Sequence, residues 1–181
     1  MPVSIENYVS QTAGRKRRRR GAIFVWSIFA LIATIWVFLI LLAPFSEANN
    51  QKGVSKSLYN FFGFLCHQDP ARSFHLANET FAVCSRCFGV YFGLLFGFVL
   101  YPFLRPFEET NQLPRFWLFL ALIPMAIDWS LGFFEIWENT HFSRFLTGLI
   151  VGTACAVFIM PALVEIAQLL SNKKKEKRMS G

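Results

Sequence analysis

No charged side chain occurs between Gly21 and Ser46, between Cys87 and Leu104, or between Phe145 and Val164. The stretch from Phe116 to Phe134 holds one, Asp128. A helix rises about 1.5 Å per residue, so about 20 mostly apolar residues cross the hydrocarbon core of a bilayer. A core helix of a water-soluble domain would instead carry a polar face, with charges recurring every turn or two. These stretches predict four transmembrane helices, at roughly 22–43, 86–104, 116–134 and 145–169. Pro102 and Pro124 fall in the second and third, where neighbouring helices can re-satisfy the freed carbonyls. The expected fold class is all-α, a transmembrane bundle of four helices under a Cys/His-containing outer cap. Composition agrees: 54% of the 181 residues are hydrophobic and 16% charged, against roughly 25% charged in a soluble domain.

The net charge of +7 is concentrated. Six basic residues run from Arg15 to Arg20, just before the first span. Lys173, Lys174, Lys175, Lys177 and Arg178 follow the last. Basic runs also bind nucleic acid, but beside a hydrophobic span they read as cytoplasmic anchors under the positive-inside rule. The expected organisation is a basic cytoplasmic tail at 1–21, a membrane domain at 22–170 and a second basic cytoplasmic tail at 171–181. Both termini and the loop Arg105–Arg115 then lie inside. Residues 44–85 and the turn 135–144 face out. The expected location is the cell membrane, with the lipid bilayer as partner and no nucleic acid. The first apolar run exceeds the 7–15 residues of a cleavable leader and reads as an anchor.

The chemistry gathers in the outer segment. Residues 44–56 read as a polar loop and residues 57–66 as a short amphipathic piece. Cys66-His67 and His75 follow, then Cys84-Ser85-Arg86-Cys87 at the mouth of the second span. Three of the four cysteines and two of the three histidines therefore fall within 22 residues. A Cys-x-x-Cys pair sets two sulfurs on one side of a turn, the bite for one metal ion or a small disulfide. The expected metal is zinc, with Cys66, Cys84, Cys87 and His75 as ligands and His67 as the alternative to His75. A thiol–disulfide oxidoreductase working through Cys84 and Cys87 is the second reading, since a helix N-terminus and Arg86 favour thiolate. A membrane scaffold or transporter component is the third. Cys155, inside the fourth span, reads as a small apolar filler.

Cys66-His67-Gln68-x-Pro70-x-Arg72-Ser73-Phe74, followed by Cys84-x-Arg86-Cys87-x-Gly89-x-Tyr91-x-Gly93, resembles the membrane-protein family known as domain of unknown function 2085. The resemblance runs from about Phe61 to Gly152. Asp128 and Arg144-Phe145-Leu146-Thr147-Gly148 fit its later positions, while Ala71 and Phe88 depart from it, standing where Glu and a small hydroxyl residue are common. It implies a small multi-pass protein and no established reaction.

Two further features bear on packing. Gly89-x-x-x-Gly93-x-x-x-Gly97 and Gly148-x-x-x-Gly152-x-x-x-Ala156 each put small residues on one helix face, where backbones approach closely. These faces are expected to pack on each other or on neighbouring helices, a homo-oligomer seam being the alternative. Asp128, about 9 Å below the outer surface at 1.5 Å per residue, must face the bundle and find a partner. Arg144 is the expected one, with Arg72, Arg86 and His75 as competitors. Asp128 and Arg144 are also the candidate catalytic residues. Glu135, Glu138, Asn139 and His141 read as a solvated rim. No Gly-rich phosphate loop, serine nucleophile elbow or His-Glu-x-x-His helix occurs.

Overall fold

A computed structural model describes residues 5–107 and 114–179. It contains five α-helices, one 3-10 turn and a two-stranded sheet among the described residues. In chain order these are α1 (Ile5–Ala48), α2 (Lys52–Gly63), the turn Pro70–Arg72, β1 (His75–Leu76), β2 (Glu79–Thr80), α3 (Ser85–Leu104), α4 (Phe116–Phe133) and α5 (His141–Met179). Four segments are long and apolar enough to cross a bilayer: Arg19–Ala48, Ser85–Leu104, Phe116–Phe133 and His141–Ile166. They match the four expected spans. Large apolar side chains such as Phe24, Leu31, Phe38, Val99, Phe103, Trp117 and Phe119 stand exposed along them. In water such a surface would aggregate; in lipid it faces a solvent of its own kind.

The helices overrun the expected boundaries. α1 carries the basic run Arg15–Arg20 within one continuous helix, and α5 runs through the basic segment to Met179. The loop expected at 44–56 shrinks to residues 49–51, because α1 continues past Pro44 to Ala48 and α2 begins at Lys52. The N–H that Pro44 lacks costs one ladder bond, which near a helix end is tolerated. Positions 108–113 of the loop Arg105–Arg115 lie outside the described residues.

The densest seam joins α3 to α5, which run parallel. A β-carbon at Gly89 would strike the carbonyl of Phe145, one at Gly93 that of Leu149, and one at Gly152 that of Val90. The small-residue faces therefore pack on each other within the chain, and only residues without a β-carbon allow so close an approach. Thr153 Oγ1 donates across the seam to the Gly93 carbonyl at 3.2 Å. α1 lies antiparallel to α3. At one end of the bundle Trp26 Nε1 donates to the Phe98 carbonyl at 2.7 Å, beside buried Tyr101, Ala156 and Met160. At the other end a second core holds Ile40, Ala43, Phe62, Phe81, Ala82 and Val83. This is the capped end. α4 sits at the periphery, packed chiefly on α5, and Asp128 is its buried residue.

Candidate metal centre

The cap is built from short pieces that converge on the start of α3. α2 is amphipathic and buries Phe62 against Trp36 of α1, with ring centroids 5.6 Å apart. Where α2 ends, the Cys66 N–H donates back to the Phe62 carbonyl at 2.9 Å, which fixes the first sulfur to the cap core. Gln68 then turns the chain through a left-handed conformation (φ 51°). Its side-chain amide donates to the carbonyls of Tyr59 and Ala82, both at 2.8 Å. One side chain thus ties the end of α2 to the segment that leads into Cys84. Asp69 closes the 3-10 turn by accepting from the Ala71 N–H at 3.0 Å, and its carboxylate pairs with Arg72 at 3.1 Å. β1 and β2 form a hairpin in the register His75 to Thr80 and Leu76 to Glu79, with Ala77 and Asn78 both at positive φ, as a tight primed turn requires. This hairpin is absent from the sequence reading, because Ala-Asn is a weak signal for such a turn and each strand is two residues long.

Buried Ala82 and Val83 deliver Cys84 to the N-cap of α3, in extended backbone, with Cys87 one turn on. The Sγ atoms of Cys66, Cys84 and Cys87 all lie within 4.8 Å of one another. Zinc–sulfur bonds of about 2.3 Å in a tetrahedron put sulfurs about 3.8 Å apart, so the triad needs only a small closure to hold one ion. The Cys84 N–H donates to Cys66 Sγ at 3.2 Å. Hydrogen bonding from the Cys84 and Cys87 thiols, and then from the N–H groups of Cys84 and Gln68, holds the Cys66 thiol far below the usual thiol range, against burial that pushes it up. The two neighbouring thiols, with backbone donors behind them, thus favour Cys66 as thiolate, the form that binds metal.

The structure brings together the three cysteines and leaves both histidines outside the group. His75 is exposed on β1, and His67 is exposed beside Cys66. His141, at the start of α5, instead shares a hydrogen bond with Ser85 at 3.3 Å and packs 5.8 Å from the Phe74 ring. Cys155 lies apart in α5.

Asp128 pairs with Arg86, not with the expected Arg144. Both side chains are mostly buried, at 10% and 19% exposure, which is how a charge at membrane depth must be arranged. The Asn139 side-chain amide donates to the Asp128 carbonyl, fastening the turn 135–140 to α4. Arg86, one of the competing partners for Asp128 in the sequence, sits between the two cysteines and reaches across the bundle to α4. Arg144 stands nearby, lining with Arg72, Arg86, Cys84, Asn139 and Trp129 a cleft of about 350 Å³. Glu135 also lines it, and Glu138 is exposed.

With the spans, the capped end and the cysteine triad in place, comparison with known proteins decides the family. Residues 66–158 match the model of domain of unknown function 2085, described as predicted membrane proteins. The chain belongs to this family. It is 35% identical over 145 residues to an uncharacterized protein of Methanocaldococcus jannaschii, covering 77% of this chain and 93% of that relative. It is 38% identical over 96 residues to an uncharacterized protein of Methanothermobacter thermautotrophicus, covering 53% of this chain and 85% of the relative. No solved structure matches it. The matched region starts at Cys66 itself and takes in the whole triad, Asp128 and Arg144.

Proposed function

We propose that this multi-pass membrane protein holds one zinc ion on Cys66, Cys84 and Cys87 at the capped end, and that the capped end faces away from the cytoplasm. The observation that carries the reading is the mutual approach of three sulfurs to within 4.8 Å, from two separate segments, with hydrogen bonds that favour thiolate at Cys66. Soft sulfur ligands at that spacing suit zinc. Three protein ligands leave a fourth position for His67, His75 or a water, and a water there would be activated by the metal. The basic run before the first span and the basic segment after the fourth support cytoplasmic termini.

Metal analysis of protein purified in mild detergent without chelators tests the site. About one zinc per chain is expected, lost in Cys84→Ser, Cys87→Ser and Cys66→Ser and retained in Cys155→Ser. Replacing His67 and His75 singly by Ala identifies the fourth ligand: the ligand is the one whose loss alters the X-ray absorption spectrum. Protein free of metal with Cys84 and Cys87 joined as a disulfide would replace this reading by thiol–disulfide exchange, in which Cys66, already within reach, is the third thiol. Orientation is tested separately. An impermeant thiol reagent on intact cells should reach Cys84 after metal removal and should miss a cysteine introduced by Ser171→Cys. The reverse pattern would invert the topology.

A further inference from the structure

The cleft beside the triad has a charge pattern that the metal reading does not use. Three arginines from three elements line it: Arg72 from the 3-10 turn, Arg86 from α3 and Arg144 from α5. Arg86 is tied to Asp128 on its far side, and Arg72 to Asp69. No ion pair or hydrogen bond satisfies the Arg144 guanidinium among the described residues; it feels the like charges of both other arginines and, more weakly, the attraction of Asp128. The buried Nε of Arg86 also lacks a hydrogen-bond partner. Three guanidinium groups repel one another, and Arg144, half-buried, has no anion in direct contact to offset its partial desolvation. Glu135 is the one acid in the lining, and it does not pair with Arg144.

We propose that this cleft is a binding site for an oxyanion of the phosphate class, held by Arg144 and Arg72 with Arg86 beneath it. Guanidinium forks match phosphate oxygens two at a time, which makes Arg the residue for such ligands. Asn139, on the wall, adds a neutral polar group, and the N-terminal turns of α3 and α5 lie side by side at the same end. About 350 Å³ accommodates a phosphate with its immediate substituent. Arg86 and Trp129 also line a second, apolar hollow of about 270 Å³ running down α4 past Met125 and Leu122. A phosphate carried on an acyl or prenyl chain could therefore enter from the bilayer with its chain in that hollow, whereas a free phosphate would enter from the aqueous side. Cys84 is a wall of the cleft, so the bound oxyanion lies beside the triad whether or not a metal is there.

The test uses the full chain, with inorganic phosphate in detergent as one probe and nanodiscs of phosphatidylcholine containing phosphatidylglycerol as the other. Phosphate binding is read by calorimetry and retained phosphatidylglycerol by native mass spectrometry. Saturable binding of at least one probe is expected, weakened about tenfold or more in Arg144→Gln, the loss expected for one charge-assisted contact. Arg144→Lys should restore part of it. Arg72 is exposed at the rim, so Arg72→Gln keeps the test valid if Arg144→Gln folds poorly. Zinc content should be the same in these variants as in the wild type, which separates failure of this site from failure of the metal reading. Phosphate binding alone assigns a free anion, and phosphatidylglycerol retention alone assigns a lipid headgroup. Absence of both, or binding that Arg144→Gln and Arg72→Gln leave unchanged, overturns the proposal.

Discussion

Replacing Gly152 by alanine puts a β-carbon where no side chain can yield. The atoms it would meet are all backbone: the Val90 carbonyl oxygen, then the Leu94 nitrogen and the Val90 carbonyl carbon, each at 2.9 Å. Ordinary contact begins at about 3.4 Å, so α3 and α5 must part by roughly 0.5 Å for those two atoms and further for the oxygen. Rotamer changes cannot relieve a backbone clash, so the whole seam from Gly89 to Ala156 loses contact together. Overpacking of this kind costs about 2 kcal/mol, near thirtyfold in the equilibrium between closed and opened bundle. Gly21→Ala is the control, because nothing lies within 4 Å of its β-carbon position. Substitutions free of such contacts stay within about 0.5 kcal/mol. The assay is far-ultraviolet circular dichroism during titration of detergent-solubilised protein with sodium dodecyl sulfate. Gly152→Ala should unfold at a clearly lower denaturant fraction than Gly21→Ala. Equal midpoints would refute the close parallel seam.

The Arg86–Asp128 pair should behave as a coupled unit. Arg86→Gln and Asp128→Asn should each cost about 3 kcal/mol by stranding a buried partner, and the double variant should cost less than their sum; strict additivity in the same titration would dissolve the pair. A pH dependence follows from Cys66 in metal-free protein. Its folded thiol lies below the unfolded value, so its contribution to cap stability is complete above the ordinary range near 8.5 and is lost as pH falls toward the folded value. Proteolysis between Phe64 and Val83 should therefore accelerate on acidification in metal-free wild type but not in Cys66→Ser, using a protease whose own pH response is corrected with a model peptide. Identical pH responses in the two proteins would remove Cys66 from the account.

The spans were legible because lipid imposes a length and a hydropathy that local sequence cannot disguise, and the clustering of Cys66, Cys84 and Cys87 survived translation into space because only 22 residues contain them. The facing glycine runs were legible for a similar reason, since spacing by four defines one helix face. Which arginine reaches Asp128 was not. Arg72, Arg86 and Arg144 all lie at the capped end, and the choice depends on how α4 is rotated against α3, a quantity no single helix encodes. The placement of the histidines was not legible either. Proximity in sequence put His67 and His75 beside the cysteines, but the hairpin of β1 and β2 carries His75 to an exposed position, and its turn has little sequence signature. Gln68 enters the sequence reading only as part of the family motif, because its structural role comes from reaching two carbonyls 23 residues apart, Tyr59 and Ala82.

The triad and the arginine cleft share the Cys84 wall, yet they close over very different lengths of chain. The sulfurs join positions 66 to 87, and the cleft joins Arg72 to Arg144. Chain-closure entropy rises with the logarithm of loop length, which makes the longer closure about 1 kcal/mol dearer even before helix insertion is considered. During synthesis the three thiols have all emerged once α3 is made, whereas the cleft has no floor until α4 is made and no far wall until α5 follows. The parallel seam enforces the same sequence of events, because the glycine face of α3 has no partner until the last helix arrives. The cysteine cap thus needs only a short, local stretch of chain, whereas the cleft needs α3, α4 and α5 together.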